Sequence, residues 1–309
     1  MRIFTLTLSP AFDLHCSAES LSVGHENLVH LIRREAGGKG VNISRGLKSG
    51  GTDSLAVVLL GEENADSFEA ALYRDGLSYR GLRTHGRIRE NITVHLPDGE
   101  ETRISFEGFQ AAPSILEDVL SILSAEGLRS SVVTFTGRAP EGIDMSLIKN
   151  FLRTLREMGA RVVIDSRSFS LSDLADCSPY LIKPNAEEIS VYAGREISGL
   201  DMAAKVAVDV RRLGIENVMI TLGGDGAVLA TADGVFGAIP PKVSALSTIG
   251  AGDSSIAGFL SAIAQGLSES EALKTAVAYG TAACLTEGTL PPTSEDIEKI
   301  FSEIRTVRL

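Results

Sequence analysis

The chain has 309 residues, 44% hydrophobic and 22% charged, enough to bury a substantial core and too apolar for a disordered tail or a disulfide-stapled miniprotein. Twenty-nine Lys and Arg against 40 Asp and Glu leave a net charge of −11, which argues against nucleic acid or an anionic membrane as a partner. Glycine is in excess: 31 residues, where an average composition near 7% gives roughly 22.

The opening, Met1–Leu6, reads as a strand. It lacks the basic and long apolar runs of a signal peptide, so the cytoplasm is the expected compartment. The longest clean apolar run, Leu55–Leu60, is too short to cross a membrane. Cys16, Cys177 and Cys284 are scattered, with no CxxC, and no HxxxH occurs; neither a disulfide nor a zinc site is expected.

Short apolar runs follow along the chain at Arg2–Leu8, Leu55–Leu60, Val132–Thr136, Arg161–Asp165, Tyr180–Lys183 and Val218–Leu222. Amphipathic stretches lie between them, among them Ser114–Ala125, Met145–Met158 and Met202–Leu213. This alternation predicts an α/β fold with a mostly parallel sheet covered by helices on both faces. In such a sheet the site lies beyond the carboxyl ends of the strands. Two regions break the rhythm. Residues 88–106 alternate apolar and polar around the turn Pro97-Asp98-Gly99-Glu100, a hairpin signature. Residues 12–36 are similarly strand-like, with a break at Gly24. Together they predict a small β-layer projecting from one domain, with no linker, low-complexity tract or repeat.

The glycines gather in three clusters. Ala36-Gly37-Gly38-Lys39-Gly40-Val41-Asn42 resembles a phosphate loop without being a Walker A motif, since Gly40 follows Lys39 where Ser or Thr would stand. It either presents the Lys39 ammonium to a phosphate or sugar oxygen, or is a turn. Thr221-Leu222-Gly223-Gly224-Asp225-Gly226-Ala227 joins two apolar runs; it is a tight connection or a shelf for a nucleotide. Thr248-Ile249-Gly250-Ala251-Gly252-Asp253-Ser254 is the most informative, because a helical apolar pattern from Ile256 to Leu267 begins directly behind it. Free amides and the macrodipole at such a helix start attract an anion that glycine lets approach closely. Asp253 is there either a cap or a general base that takes a hydroxyl proton.

In order, these pieces resemble the PfkB (ribokinase-like) family of carbohydrate kinases across essentially the whole chain. The resemblance rests on Thr5–Asp13, Ala36–Asn42, Arg89-Glu90-Asn91-Ile92, Lys183-Pro184-Asn185-Ala186-Glu187-Glu188, Thr221–Ala227 and Gly250–Ser254. The first and third pieces look most like the branch of 1-phosphofructokinases and tagatose-6-phosphate kinases. The resemblance implies a three-layer α/β/α sandwich as a single kinase domain over 1–309, with a β-lid from 12–36 and 88–106. It implies Asp253 as catalytic base, and the amides of Gly250, Ala251 and Gly252 as the hole for the transferred phosphoryl group. Asp13, Gly38 and Asn42 match positions that hold sugar hydroxyls, with Gly37 and Asn91 on the same side. Lys39 and Arg89 match positions that hold the substrate's phosphate. Lys183, Asn185, Thr221, Gly223, Gly224, Gly226 and Gly252 match the ATP side. Asn185 and Glu188 match the element that organises Mg²⁺ through water. The implied reaction is ATP-dependent phosphorylation of a ketohexose phosphate, most simply D-fructose 1-phosphate, with tagatose 6-phosphate or fructose 6-phosphate as the alternative. The resemblance also implies a homodimer through the lid and leaves a monovalent cation open.

Some positions depart from the family pattern. Ser9 stands where this branch usually has Asn, Thr93 where Lys is frequent, and Arg167 where a small residue is more usual. Thr136-Gly137-Arg138-Ala139-Pro140 replaces a Gly-Ser-Leu-Pro type of segment, so Arg138 is an additional phosphate ligand or a surface residue. In the basic run Arg83, His85, Arg87 and Arg89, only Arg89 is expected to act on substrate. A sugar-phosphate sensor without turnover would be signalled by loss of Asp253 or of the Gly250–Gly252 turn; both are present.

Overall fold

The computed structural model describes all residues, Met1–Leu309. Its centre is a ten-stranded sheet in the order β14-β13-β12-β11-β10-β9-β8-β1-β4-β5. The seven strands β11 (Asn217–Thr221), β10 (Leu181–Ile182), β9 (Arg161–Asp165), β8 (Val132–Thr136), β1 (Ile3–Thr7), β4 (Leu55–Gly61) and β5 (Tyr79–Thr84) run parallel. The edge strands β12 (Ala227–Ala230), β13 (Val235–Ile239) and β14 (Arg305–Arg308) are antiparallel. The inner strands are buried on both sides: every residue of β1 and β8 is inaccessible, as the unbroken β-branched and apolar runs require.

Helices cover both faces. One core cluster packs α3 (Ile115–Ala125), α4 (Met145–Glu157), α5 (Leu171–Cys177), α6 (Ala186–Ala193) and α7 (Leu200–Arg211) against one face through Val119, Leu152, Leu174, Ile189 and Ala207. Another packs α1 (Lys39–Ser49), α8 (Ala251–Ala264), α9 (Glu269–Ala283) and α10 (Ser294–Glu303) against the other through Leu47, Phe259, Ala276 and Ile300. The helix α2 (Ala65–Arg74) closes a third cluster with Phe12, Val41 and Ile88 at the foot of a second sheet.

That second sheet has four strands in the order β3-β2-β6-β7. Strands β2 (Ala11–Ser17) and β3 (His30–Gly37) are antiparallel, as are β6 (Arg89–His95) and β7 (Glu101–Ser105), while β2 and β6 run parallel. The three-layer sandwich and the small β-layer are those expected. Several boundaries shift by a residue or two, and two differences are instructive. The break expected at Gly24 widens to residues 18–29, which form no strand. The strand expected over Tyr180–Lys183 shrinks to Leu181–Ile182, because the Tyr180 carbonyl accepts from the Asn217 side chain (3.0 Å) and Pro184 has no N–H to continue the ladder.

Candidate active site

The carboxyl ends of β1, β8, β9, β10 and β11 converge on a cavity of about 1070 Å³, roofed on one side by β2 and β6. Every site residue proposed from sequence lines it except Gly37. Gly37 stands behind Asp13 across the β2–β3 pair, where a Cβ would overlap the Asp13 carboxylate.

Asp253 lies in the first turn of α8. That helix is capped by Gly250, whose φ of 79° is left-handed, and the first helical bond runs from the Ser254 N–H to the Gly250 carbonyl (2.8 Å). The Asp253 side chain caps nothing. Its Oδ2 instead accepts from Asn42 Nδ2 at 2.9 Å, across the packed pair α1 and α8. The carboxylate is 6% exposed, and burial pushes its pKa up to about 6 even though the Lys39 ammonium pulls it down. A buried carboxylate at a helix N-terminus, hydrogen-bonded to one amide side chain and titrating near neutrality, is equipped to take a proton.

Two ammonium groups flank this turn. Lys39 Nζ donates to Asp165 Oδ2 at 2.9 Å, and Lys183 Nζ lies 3.7 Å from Asp165 Oδ1. Lys183 is buried, and a Cβ on Gly252 would come within 3.1 Å of its Nζ, so this ammonium faces the start of α8. Burial alone would push Asp165 up; the two ammoniums outweigh it and hold the carboxyl below its ordinary value. Both lysines stand out in the sequence; the carboxylate between them does not. The available signal was its place as the last residue of the apolar run Arg161–Asp165, at the carboxyl end of a central strand.

At the other end, Asp13 and Asn91 face each other across β2 and β6, with Asn91 Nδ2 donating to Asp13 Oδ1 at 2.9 Å. Burial raises the Asp13 pKa. Arg89 is half-buried, and its Nε is shielded from solvent with no acceptor. Burial and the neighbouring Arg138 guanidinium both disfavour its charge. Two guanidiniums side by side, one with an orphaned buried donor, form a seat for an anion with several oxygens. Arg138 is exposed but lines the cavity.

The Asn185–Glu188 element is a capping box at the start of α6. Asn185 Oδ1 accepts from the Glu188 N–H (2.8 Å), and Glu188 Oε2 accepts from the Asn185 N–H (3.0 Å). Arg167 Nε donates to Glu188 Oε1 at 2.7 Å, which gives the unusual Arg167 a definite partner. Thr221, Gly223, Gly224 and Gly226 sit where β11 turns through a 3₁₀ turn, Gly223–Asp225, into β12. The wall beyond them comes from segments the sequence reading did not assign: Pro240, Lys242 and Val243 after β13, and Val277, Thr281 and Cys284 at α9. These residues carry no chemical motif, and only the packing of α9 against α8 brings them to the site.

Residues 9–296 match the model of the pfkB family of carbohydrate kinases. Among curated relatives, 1-phosphofructokinase of Escherichia coli K12 is 32% identical over 283 residues, covering 91% of this chain and 90% of that protein. The 1-phosphofructokinase of Rhodobacter capsulatus is 32% identical over 311 residues, covering 99% and 97%. Among solved structures, phosphofructokinase-2 from E. coli in complex with potassium superimposes with a TM-score of 0.89 at 25% identity, covering 97% of this chain and 98% of that one. The same enzyme in complex with substrates and products gives 0.88 at 26% identity, covering 98% and 99%.

Proposed function

We propose a specific reaction for this chain, which belongs to the pfkB family of carbohydrate kinases and is an ATP-dependent sugar kinase: it phosphorylates D-fructose 1-phosphate to fructose 1,6-bisphosphate. The observation that carries this reading is the division of one cavity into a proton acceptor at the start of α8 and a separate cationic seat, Arg89 and Arg138, under the small sheet. A kinase of an unphosphorylated sugar has no use for that second seat. The naming of curated relatives as 1-phosphofructokinases supports the same acceptor.

In this reading the sugar's phosphate sits between Arg89, Arg138 and Lys39, and Asp13, Asn91 and Gly38 orient its hydroxyls. Asp253 takes the proton from the attacking hydroxyl as the new P–O bond forms and the bond to ADP breaks. Asn42 holds the carboxylate in line. The amides of Ala251 and Gly252 and the Lys183 ammonium neutralise the transferring group. Asp165 spaces Lys39 from Lys183, and its carboxylate favours the charged form of Lys39. ATP lies along Thr221, Gly223, Gly224 and Gly226, with Asn185 on its side of the cavity.

The protein has no cluster of three acidic, His or Cys groups that would cage a metal. Asn185 and Glu188, the latter with one oxygen shared with Arg167, would hold Mg²⁺ through water. Bound there, the ion would neutralise phosphate charge. The small sheet acts as a lid that excludes water, without which ATP would be hydrolysed.

A panel of fructose 1-phosphate, fructose 6-phosphate, tagatose 6-phosphate, fructose and ribose with ATP and Mg²⁺, with the products identified, tests the assignment. Fructose 1-phosphate should give the highest kcat/KM and fructose 1,6-bisphosphate as product. The resemblance to phosphofructokinase-2 favours fructose 6-phosphate as the next candidate. Turnover of the unphosphorylated sugars alone would overturn the reading.

A further inference from the structure

A second cavity of about 470 Å³, within the range of small-molecule sites, lies where the foot of β3 meets the carboxyl ends of α1 and α2 and residues 289–291. Five cations line it, Arg33, Arg34, Arg45, Lys48 and Arg74, against two carboxylates, Glu35 and Asp75. The lining itself carries an excess of three positive charges in a chain of net charge −11, opposed from outside it by Glu90 on Arg34 and Glu287 on Arg33. Four of the five have partners. Arg33 Nε lies 3.1 Å from Glu35 Oε1, and Arg34 Nη2 donates to Glu90 at 3.3 Å. Arg45 forks onto Asp75 Oδ2 (Nε 2.8 Å, Nη2 2.5 Å), and Lys48 donates to the Asp75 and Gly76 carbonyls (2.7 Å each). Arg74, exposed in the last turn of α2, has none.

This cavity is wired to the first. Arg45 is 8% exposed, and its Nη1 donates to Asn42 Oδ1 at 3.3 Å. Asn42 in turn donates to Asp253 at 2.9 Å. Thr289 stands on both walls and donates to Glu35 Oε2 at 3.1 Å. We propose that the second cavity binds a small phosphate-bearing anion, with Arg74 as its free ligand, and that occupancy is felt at Asp253 through Arg45 and Asn42. A multiply charged phosphate competes with Asp75 for the Arg45 fork. Turning that fork removes Nη1 from Asn42, which frees the amide that holds the Asp253 carboxylate. Binding at either cavity then alters affinity at the other by the same factor. The binding half of the proposal is independent of the reaction assigned above; the coupling half rests on Asp253 as base.

The test is calorimetric titration of inorganic pyrophosphate into the full-length protein saturated with ATP in the absence of Mg²⁺. Arg74→Glu and Arg89→Ala serve as the two arms. The proposal expects saturable binding that is weakened at least tenfold in Arg74→Glu and unchanged in Arg89→Ala. Binding lost in Arg89→Ala and kept in Arg74→Glu would place the anion in the active cavity and overturn it, as would no saturable binding at all. For the coupling, pyrophosphate added at constant free Mg²⁺ and saturating substrates should change kcat at least twofold in the wild type and not in Arg74→Glu. Binding as expected with an unaltered kcat would overturn the coupling and leave the catalytic assignment standing. Arg74→Gln, with the same exposed position and no reversed charge, separates a binding defect from a folding defect.

Discussion

Asp253 is buried in the first turn of α8, and its environment favours the neutral acid: its pKa of about 6 is well above the usual aspartate value. The sign of the stability effect follows. The fold disfavours the ionised form, so the carboxyl costs nothing below about pH 4. The cost grows between about pH 4 and 6 and is complete above 6, at about 1–3 kcal/mol. Asp253→Asn should therefore be more stable than the wild type by that amount at pH 8 in denaturant melts, and equal to it at pH 4. A variant less stable at pH 8 would mean that Asn42 and Lys39 outweigh burial. At the sugar end, Arg89→Ala should raise the KM for the sugar phosphate by about 10- to 150-fold, the equivalent of ~1.5–3 kcal/mol for a charged hydrogen bond. The KM for ATP should not move; a change confined to ATP would contradict the placement. Asp253 and Arg89 were legible in the sequence because glycines or a known motif surround them. Asp165 was not, because a carboxylate ending an apolar strand looks like any strand terminus until two lysines from distant segments close on it.

The elements follow the sequence closely where burial is two-sided. The strands β8 and β9 end where the apolar runs Val132–Thr136 and Arg161–Asp165 end, since a residue buried on both faces leaves no choice of register. The small sheet is less constrained. Strand β3 is mostly exposed, and the alternating pattern of 12–36 does not distinguish a strand from the loop that occupies 18–29. That exposure has a use. Leu31 and Ile32 on β3, with Ile104 and Phe106 at the other edge of the small sheet, are 49–60% exposed. Apolar side chains this open on a small sheet suit a second copy of the chain. Sedimentation equilibrium should give a dimer of the 32.7 kDa chain, and Ile32→Asp with Phe106→Asp should give a monomer. A wild-type monomer at micromolar concentration, or a variant that remains dimeric, would remove the lid from the interface.

Across the whole molecule, the excess of glycine and of acid have separate meanings. Three glycine clusters, far apart in the chain, meet at one end of the large sheet, where its strand order makes them neighbours. That end was foreseeable from the alternation of strands and helices. The far wall from α9 was not, because its small and apolar residues serve the core as much as the cavity. The charge of −11 belongs to the whole chain, whereas Lys39, Arg89, Arg138 and Lys183 line one cleft. The most direct measurement is single-turnover transfer of label from γ-³²P-ATP to fructose 1-phosphate by the wild type and by Asp253→Asn, beside equilibrium binding of both substrates. The account expects labelled fructose 1,6-bisphosphate from the wild type, and a rate at least a thousandfold lower from the variant with binding kept within a few fold. Comparable transfer by Asp253→Asn would contradict it.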